Sequence, residues 1–321
     1  MVGYLYTNYC IYFQNIFFIY AVFLQGGSIM GIPNYKKWVK VEGYDYDDLI
    51  YEKKYLETGG VAKMTINRPT KMNSFTGATI RHMWECIYDV NSDPSIGVLI
   101  FTGVGEKAFC TGGDVSAEAE GEFDDQIFFN CNKLIVACKK PIIAVVKGWC
   151  VGGGNHMAYC CDFTIAADNA RFAQNGPKVG SPASGWPVQY AIRALGVKKA
   201  REMWMLCRRY NAQEALEMGL VNTVVPLDKI DEEVDKWCNE LLEKSPTCIE
   251  ILKATFDQEF NNMRHDDAGD LQMLMFPDFM NSEEQKEAQA AFFEKRKPEF
   301  LKFRKEPYEK YLKTRRKVTV K

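Results

Sequence analysis

Gly152, Gly153 and Gly154 stand between an apolar β-branched run and an apolar helical stretch, within residues 147–162, KGWCVGGGNHMAYCCD. Residues 142–146, after Lys140 and Pro141, read as a buried strand. The helix is expected from about Asn155 through His156, Met157, Ala158 and Tyr159 to Cys160 and Cys161. Glycines at a strand-to-helix junction let the backbone come close to a ligand, and the first helical N–H groups have no partner inside the helix. Such a junction suits negative charge. It also suits a tight turn with nothing bound, and the triplet alone leaves both readings open. A second element has to decide between them.

The chain has 321 residues, 47% of them hydrophobic, enough for one large core and an appended subdomain. Its 40 basic and 42 acidic residues give a net charge of −2, so no overall field points to nucleic acid. Eleven cysteines lack metal-ligand spacing, and the Cys160-Cys161 pair reads as buried thiols. No metal is expected, and reduced thiols fit a cytoplasmic protein. Residues 9–24, YCIYFQNIFFIYAVFL, are apolar, but they contain Gln14 and Asn15 and lack a basic flank and a cleavage site. They are also short for a membrane span. We expect residues 1–29 to be translated upstream sequence, with Met30 the start, since codons for Gln25, Gly26 and Gly27 can spell a purine-rich ribosome-binding site.

After a lead-in over residues 30–46, two strands are expected at residues 49–56 and 61–67, joined through Thr58, Gly59 and Gly60 as a hairpin. Asn73 or Ser74 is the expected N-cap of a helix carrying Ile80, Met83, Trp84, Ile87 and Tyr88, which Asp93-Pro94 closes. A strand at residues 98–102, the phrase AFCTGGD, a helix over residues 123–139, the glycine junction and a strand at residues 163–167 follow. The order strand, strand, helix repeats, which predicts an α/β spiral of stacked ββα turns over residues 47–226 rather than a doubly wound sheet. Amphipathic helices are expected at residues 230–244, 247–261, 268–279 and 283–297, forming a helical subdomain over residues 227–300. The basic tail, residues 301–321, reads as solvated.

AFCTGGD and GWCVGGGN each follow a buried strand, with one helix between them. Together they supply what an oxyanion hole needs, two backbone N–H donors converging on one oxygen. Here the chain resembles the crotonase (enoyl-CoA hydratase/isomerase) superfamily, over about residues 47–300. INRPTKMNSF, KAFCTGGD, CDFTIAADNARFAQNGPKVGS, GVKKAREMW, LCRRYNAQEALEMGLVNTVVP and EKRKPEF are most similar to its naphthoate-synthase branch, and also to ring-opening oxocyclohexane- and oxocyclohexenecarboxyl-CoA hydrolases.

The resemblance implies an acyl-CoA substrate, no tightly bound cofactor, and a trimer or hexamer built through the C-terminal helices. It makes the N–H groups of Gly113 and Gly153 the donors to a thioester oxygen becoming an enolate. It places Lys71, Lys295 and Lys297 near the coenzyme A phosphates, and Ala108, Cys110, Gly112 and Asp114 along the bound substrate. The two glutamates of hydratases align with His156 and Gly176, so a paired-carboxylate mechanism is not expected. Gln174, Gly176 and Trp204 align with a bicarbonate site, which makes bicarbonate or chloride near Gln174 an expectation, and Ser181 with a substrate-contacting serine. Three groups of naphthoate synthase are missing: its aspartate aligns with Ala183, its late tyrosine with about Met280, and the loop of residues 114–123 is shorter and has no tyrosine.

From this we expect hydrolytic ring opening of an alicyclic β-oxoacyl-CoA, with His156 or a water at Gln174 as base and Ser181 and Ser184 orienting the ring oxygen. The alternatives are 1,4-dihydroxy-2-naphthoyl-CoA synthesis, hydration of a cyclic dienoyl-CoA, and a non-catalytic CoA-binding scaffold. For His156 a second reading stands beside the catalytic one: a core histidine with one ring nitrogen satisfied by a carbonyl.

Overall fold

A computed structural model describes residues 35–119, 125–181, 186–263, 281–300 and 302–303. The N-terminal stretch of residues 1–29, Ala183, Ser184, Met280, the expected helix at residues 268–279 and the tail beyond residue 303 lie outside the described residues.

In chain order the elements are β1 (Val39–Lys40), β2 (Leu49–Leu56), β3 (Gly59–Ile66), α1 (Gly77–Ser92), β4 (Ile96–Gly103), β5 (Ala108–Cys110), α2 (Val115–Ala119) and α3 (Asp125–Val136). Next come β6 (Ile142–Val146), β7 (Trp149–Val151), α4 (Gly153–Cys160), β8 (Phe163–Ala167), β9 (Arg171–Ala173) and α5 (Gly176–Val179). The chain continues through α6 (Trp186–Leu206), broken at Gly196, then β10 (Arg209–Asn211), α7 (Ala212–Glu217), β11 (Thr223–Val225), α8 (Ile230–Leu242), α9 (Pro246–Met263) and α10 (Glu283–Phe293).

The repeating unit is a pair of strands that part company. In the pairs β4-β5, β6-β7 and β8-β9 the first strand joins a 7-stranded sheet of order β1-β2-β3-β4-β6-β8-β11, and the second joins a 4-stranded sheet of order β10-β9-β7-β5. Pairing is parallel from β3 through β4, β6 and β8 to β11, and from β5 through β7 to β9. Successive turns therefore stack in one direction, which is the spiral the strand-strand-helix order predicts.

The middle of the large sheet is covered on both faces, so β4, β6 and β8 are apolar at most positions. Alternate residues point to opposite faces. Leu99, Phe101, Ala144, Val146 and Ala166 enter the main core with α1, α3 and α4, while Val98, Ile100, Ile143, Val145 and Ile165 pack against Ile230, Val234 and Cys238 of α8. Each fully buried aliphatic or aromatic side chain of this kind contributes roughly 1.5–3 kcal/mol. Nine of the ten described cysteines are buried, and burial pushes the Cys110 and Cys131 thiols up to about 12, as the reading of inert core thiols requires.

Some boundaries differ from expectation for identifiable reasons. The hairpin turns at Glu57 and Thr58, and Gly59 already pairs with Leu56. The N-cap of α1 is Thr76, whose hydroxyl accepts from the Thr79 N–H, and not Asn73 or Ser74. The Asn73 side chain is used elsewhere, donating to the carbonyls of Ala108 at 2.7 Å and Val104 at 3.0 Å. Helix α4 starts at Gly153, two residues before Asn155, so the glycines are its first turn and not a linker into it.

Candidate active site

Two loops meet where β5 and β7 end. After β5 the chain turns through Gly112 and Gly113; after β7 it turns at Gly152, with φ 57°, directly into α4. A cleft of about 410 Å³ opens between them. Lys71, Gly112, Gly113, Asp114, Gly153, Gln174, Gly176 and Ser181 line it, together with Phe292 and Phe293 from the end of α10. Helix α10 reaches the cleft because Gln285 and Ala288 lie against Gly180, just beyond α5.

Each loop leaves one amide over. Phe75 N–H donates to the Gly112 carbonyl and Asp114 N–H donates to the Phe75 carbonyl, at 2.9 and 2.8 Å. That bridge passes over the Gly113 N–H. Gly153 is the first residue of α4, so its N–H has no acceptor within the helix. The loops can approach only because Gly112 has no side chain: a Cβ there would lie 3.1 Å from the Gly153 nitrogen, at a φ of +95°. A Cβ on Gly153 would lie 2.6 Å from Cζ of Phe75 and 3.2 Å from Cζ of Phe128. Those two rings stack 5.2 Å apart and form the wall behind Gly153.

The floor of the cleft is polar. Gln174 is fully buried at the end of β9, and its Nε2 donates to the Gly152 carbonyl at 3.4 Å. Its Oε1 has no hydrogen-bond partner among the described residues. His156 and Trp204 lie behind this floor and do not line the cleft. The imidazole sits among Phe128, Tyr159 and Trp204, with ring centroids 5.9, 5.7 and 5.7 Å away, nearly parallel to the indole. Neither imidazole nitrogen nor Trp204 Nε1 has a partner among the described residues. Burial lowers the His156 pKa to about 3, with the Gln174 amide pulling weakly the other way. The ring is packed in the core as the alternative reading expects, but no carbonyl among the described residues reaches either nitrogen.

Other expected site residues lie apart. Ala108 and Cys110 are buried in β5 and do not border the cleft. Lys295 and Lys297 follow α10, exposed and just beyond the Phe292–Phe293 edge. A larger open groove of about 810 Å³ lies between the lead-in, α1 and α3, lined by Tyr44, Tyr46, Trp84 and Tyr88. Neither glycine phrase borders it.

The enoyl-CoA hydratase/isomerase family model matches residues 57–303. The chain belongs to that family. Solved structures agree. An enoyl-CoA hydratase/carnithine racemase from Magnetospirillum magneticum is 28% identical with a TM-score of 0.63, covering 79% of this chain and 96% of its own. For an enoyl-CoA hydratase from Mycobacterium avium subsp. paratuberculosis the values are 28%, 0.64, 78% and 98%. For a methylmalonyl-CoA decarboxylase in complex with 2-nitronate-propionyl-CoA they are 27%, 0.69, 77% and 97%. As a crotonase-fold chain of this family, the protein is an acyl-CoA-processing enzyme. Among the described residues no helix is long and apolar enough to cross a membrane.

For this enoyl-CoA hydratase/isomerase family member, the INRPTKMNSF phrase now has a physical account. Asn73 ties the loop to the start of β5, the Thr111 hydroxyl donates to the Met72 carbonyl, and Phe75 bridges the glycine loop. Sequence reasoning missed Arg68, Phe75 and Phe128 as parts of the site. The spacing of Arg68 to Phe75 was visible, but nothing local in it says that these residues fold back over AFCTGGD.

Proposed function

We propose that the cleft binds a CoA thioester with its carbonyl oxygen between the N–H groups of Gly113 and Gly153. The observation that carries this is the pair of amides, each left without a backbone acceptor and both lining one cleft. Such donors act mainly on the charge that develops in the transition state, and each contributes about 3 kcal/mol. Lys71 at the cleft rim meets the phosphates of the carrier, joined by Lys295 and Lys297, here or from a neighbouring subunit of a trimer or hexamer.

The reaction we assign is hydrolytic opening of an alicyclic β-oxoacyl-CoA. Water adds to the ring ketone, the bond from that carbon to Cα breaks, and its electron pair passes to Cα as the thioester enolate. Protonation of Cα then gives an open-chain dicarboxylic acid monothioester. Gln174, which lines the cleft and has a buried, unpaired Oε1, holds the attacking water, and Ser181 and Ser184 orient the ketone. His156 lies neutral and one layer deeper, beside the Gln174 side chain, which favours its protonated form. With its conjugate acid near 3, it is a poor store for a whole proton. Trp204 Nε1 and the Gln174 side chain also suit a bicarbonate or chloride ion, which would supply a base or a fixed charge there. The resemblance to the naphthoate-synthase branch supports the cleft chemistry, and Ala183 in place of its aspartate weighs against the synthase reaction itself.

Incubation with 2-oxocyclohexanecarboxyl-CoA, a cyclic dienoyl-CoA and succinylbenzoyl-CoA, followed by chromatography of the products, tests this. The open-chain monothioester is expected; a dihydroxynaphthoyl product or a hydrated ring would replace the assignment, and no turnover of any ester would favour a scaffold.

A further inference from the structure

The cleft places a carboxylate, Asp114, beside the proposed thioester site, where a free negative charge would oppose an enolate. It is not free. Arg68 Nη2 donates to Asp114 Oδ2 at 2.8 Å, and both side chains are largely buried. The other Arg68 nitrogen, Nη1, donates to the Ser74 carbonyl at 2.5 Å. The second Asp114 oxygen accepts from the Ser116 N–H at 3.1 Å. Residues 74 and 114 immediately flank the Phe75–Gly113 bridge. The guanidinium thus spans the two strands of chain whose only ladder leaves the Gly113 N–H over.

We propose that Arg68 and Asp114 are positioning residues, a charged clamp that fixes the direction of the Gly113 N–H, and that Asp114 is not a substrate or coenzyme A ligand. This rests on the enolate reading above. Three facts support it. Burial raises the Asp114 pKa, but the Arg68 bond, the Ser116 amide and the charges of Arg68 and Lys71 outweigh it and hold the carboxyl below its ordinary range, so the clamp is charged at every working pH. The guanidinium fork ties one carbonyl and one carboxylate at once, which an ammonium cannot do with the same geometry. The Gly153 donor has no such clamp, because a helix already fixes it.

The test compares the wild-type protein with Arg68→Ala, Arg68→Lys, Asp114→Ala and Asp114→Asn. The probes are propionyl-CoA, a neutral thioester, and 2-nitronate-propionyl-CoA, whose nitronate carries the charge and shape of an enolate. Wild type should bind the nitronate more tightly. Arg68→Ala and Asp114→Ala should lose about 10- to 100-fold of that preference while propionyl-CoA affinity moves less than about 3-fold, since a misdirected donor loses what is specific to the charged state. Arg68→Lys and Asp114→Asn, which keep one contact and the fold, should fall between, and they decide the matter if either alanine variant unfolds. Folded variants that keep the full nitronate preference overturn the clamp. A fall in affinity for both probes alike also overturns it and restores Asp114 as a ligand. Absence of any preference in wild type overturns the enolate reading itself.

Discussion

The two glycine loops hold equivalent groups by different means. Gly153 owes its direction to a helix: α4 begins there, packs between α3 and α6, and has the stacked Phe75 and Phe128 rings at its back. Gly113 lies in a loop with no regular structure of its own, held by one isolated bridge, by Asn73 and by an ion pair. A helix start fixes an amide with local hydrogen bonds. A loop must recruit distant parts of the chain to do the same. The first donor should therefore be sensitive to volume, and the second to charge and to backbone dihedral.

Gly153→Val is the harshest way to break the symmetry. Its side chain has to displace Phe75 or Phe128, and kcat should fall about 10²- to 10³-fold, the loss of one donor, measured at saturating thioester. Gly112→Ala tests the loop side. It places a Cβ against the Gly153 nitrogen at a positive φ, which costs about 1–2 kcal/mol in backbone energy alone; thermal unfolding should report that loss, and kcat should drop with it. An alanine that leaves both unchanged would mean that the loops stand farther apart in solution.

His156→Leu probes the helix side through pH. The histidine has a folded pKa of about 3 against an ordinary 6.5, so the unfolded chain takes up the proton first. Its contribution is fully present above 6.5 and is lost as pH falls from there toward 3. At pH 5 the penalty is about 2 kcal/mol. The leucine variant should lose that much less stability than wild type between pH 7 and pH 5 in denaturant titrations; parallel curves would place the ring in contact with water.

Long elements were legible because burial on both faces writes an unbroken apolar run. The strands at residues 142–146 and 163–167 have the expected bounds, and α8 begins at Ile230 as its amphipathic pattern indicates. The small sheet was not legible, since β5, β7 and β9 have three residues each, too few for a period to register. Its glycines marked the place without revealing the strands. Of the site, Gly113 and Gly153 were visible as glycines and Gln174 by its place in the motif. The depth of His156 was not, because it depends on Phe128 and Trp204 arriving from two other helices, beside Tyr159 of its own. Asn73 was misread as a cap for the reverse reason: its long-range bonds to residues 104 and 108 outcompete the local one.

Phe292 and Phe293 close one side of the cleft from a helix that folds back onto Gly180. During synthesis every other part of that cleft leaves the ribosome first. Both sheets and both glycine loops precede α10 in the chain, so until α10 emerges one flank of the cleft has no side chains to cover it. The flank that closes the proposed thioester site is thus the last part of it to be made.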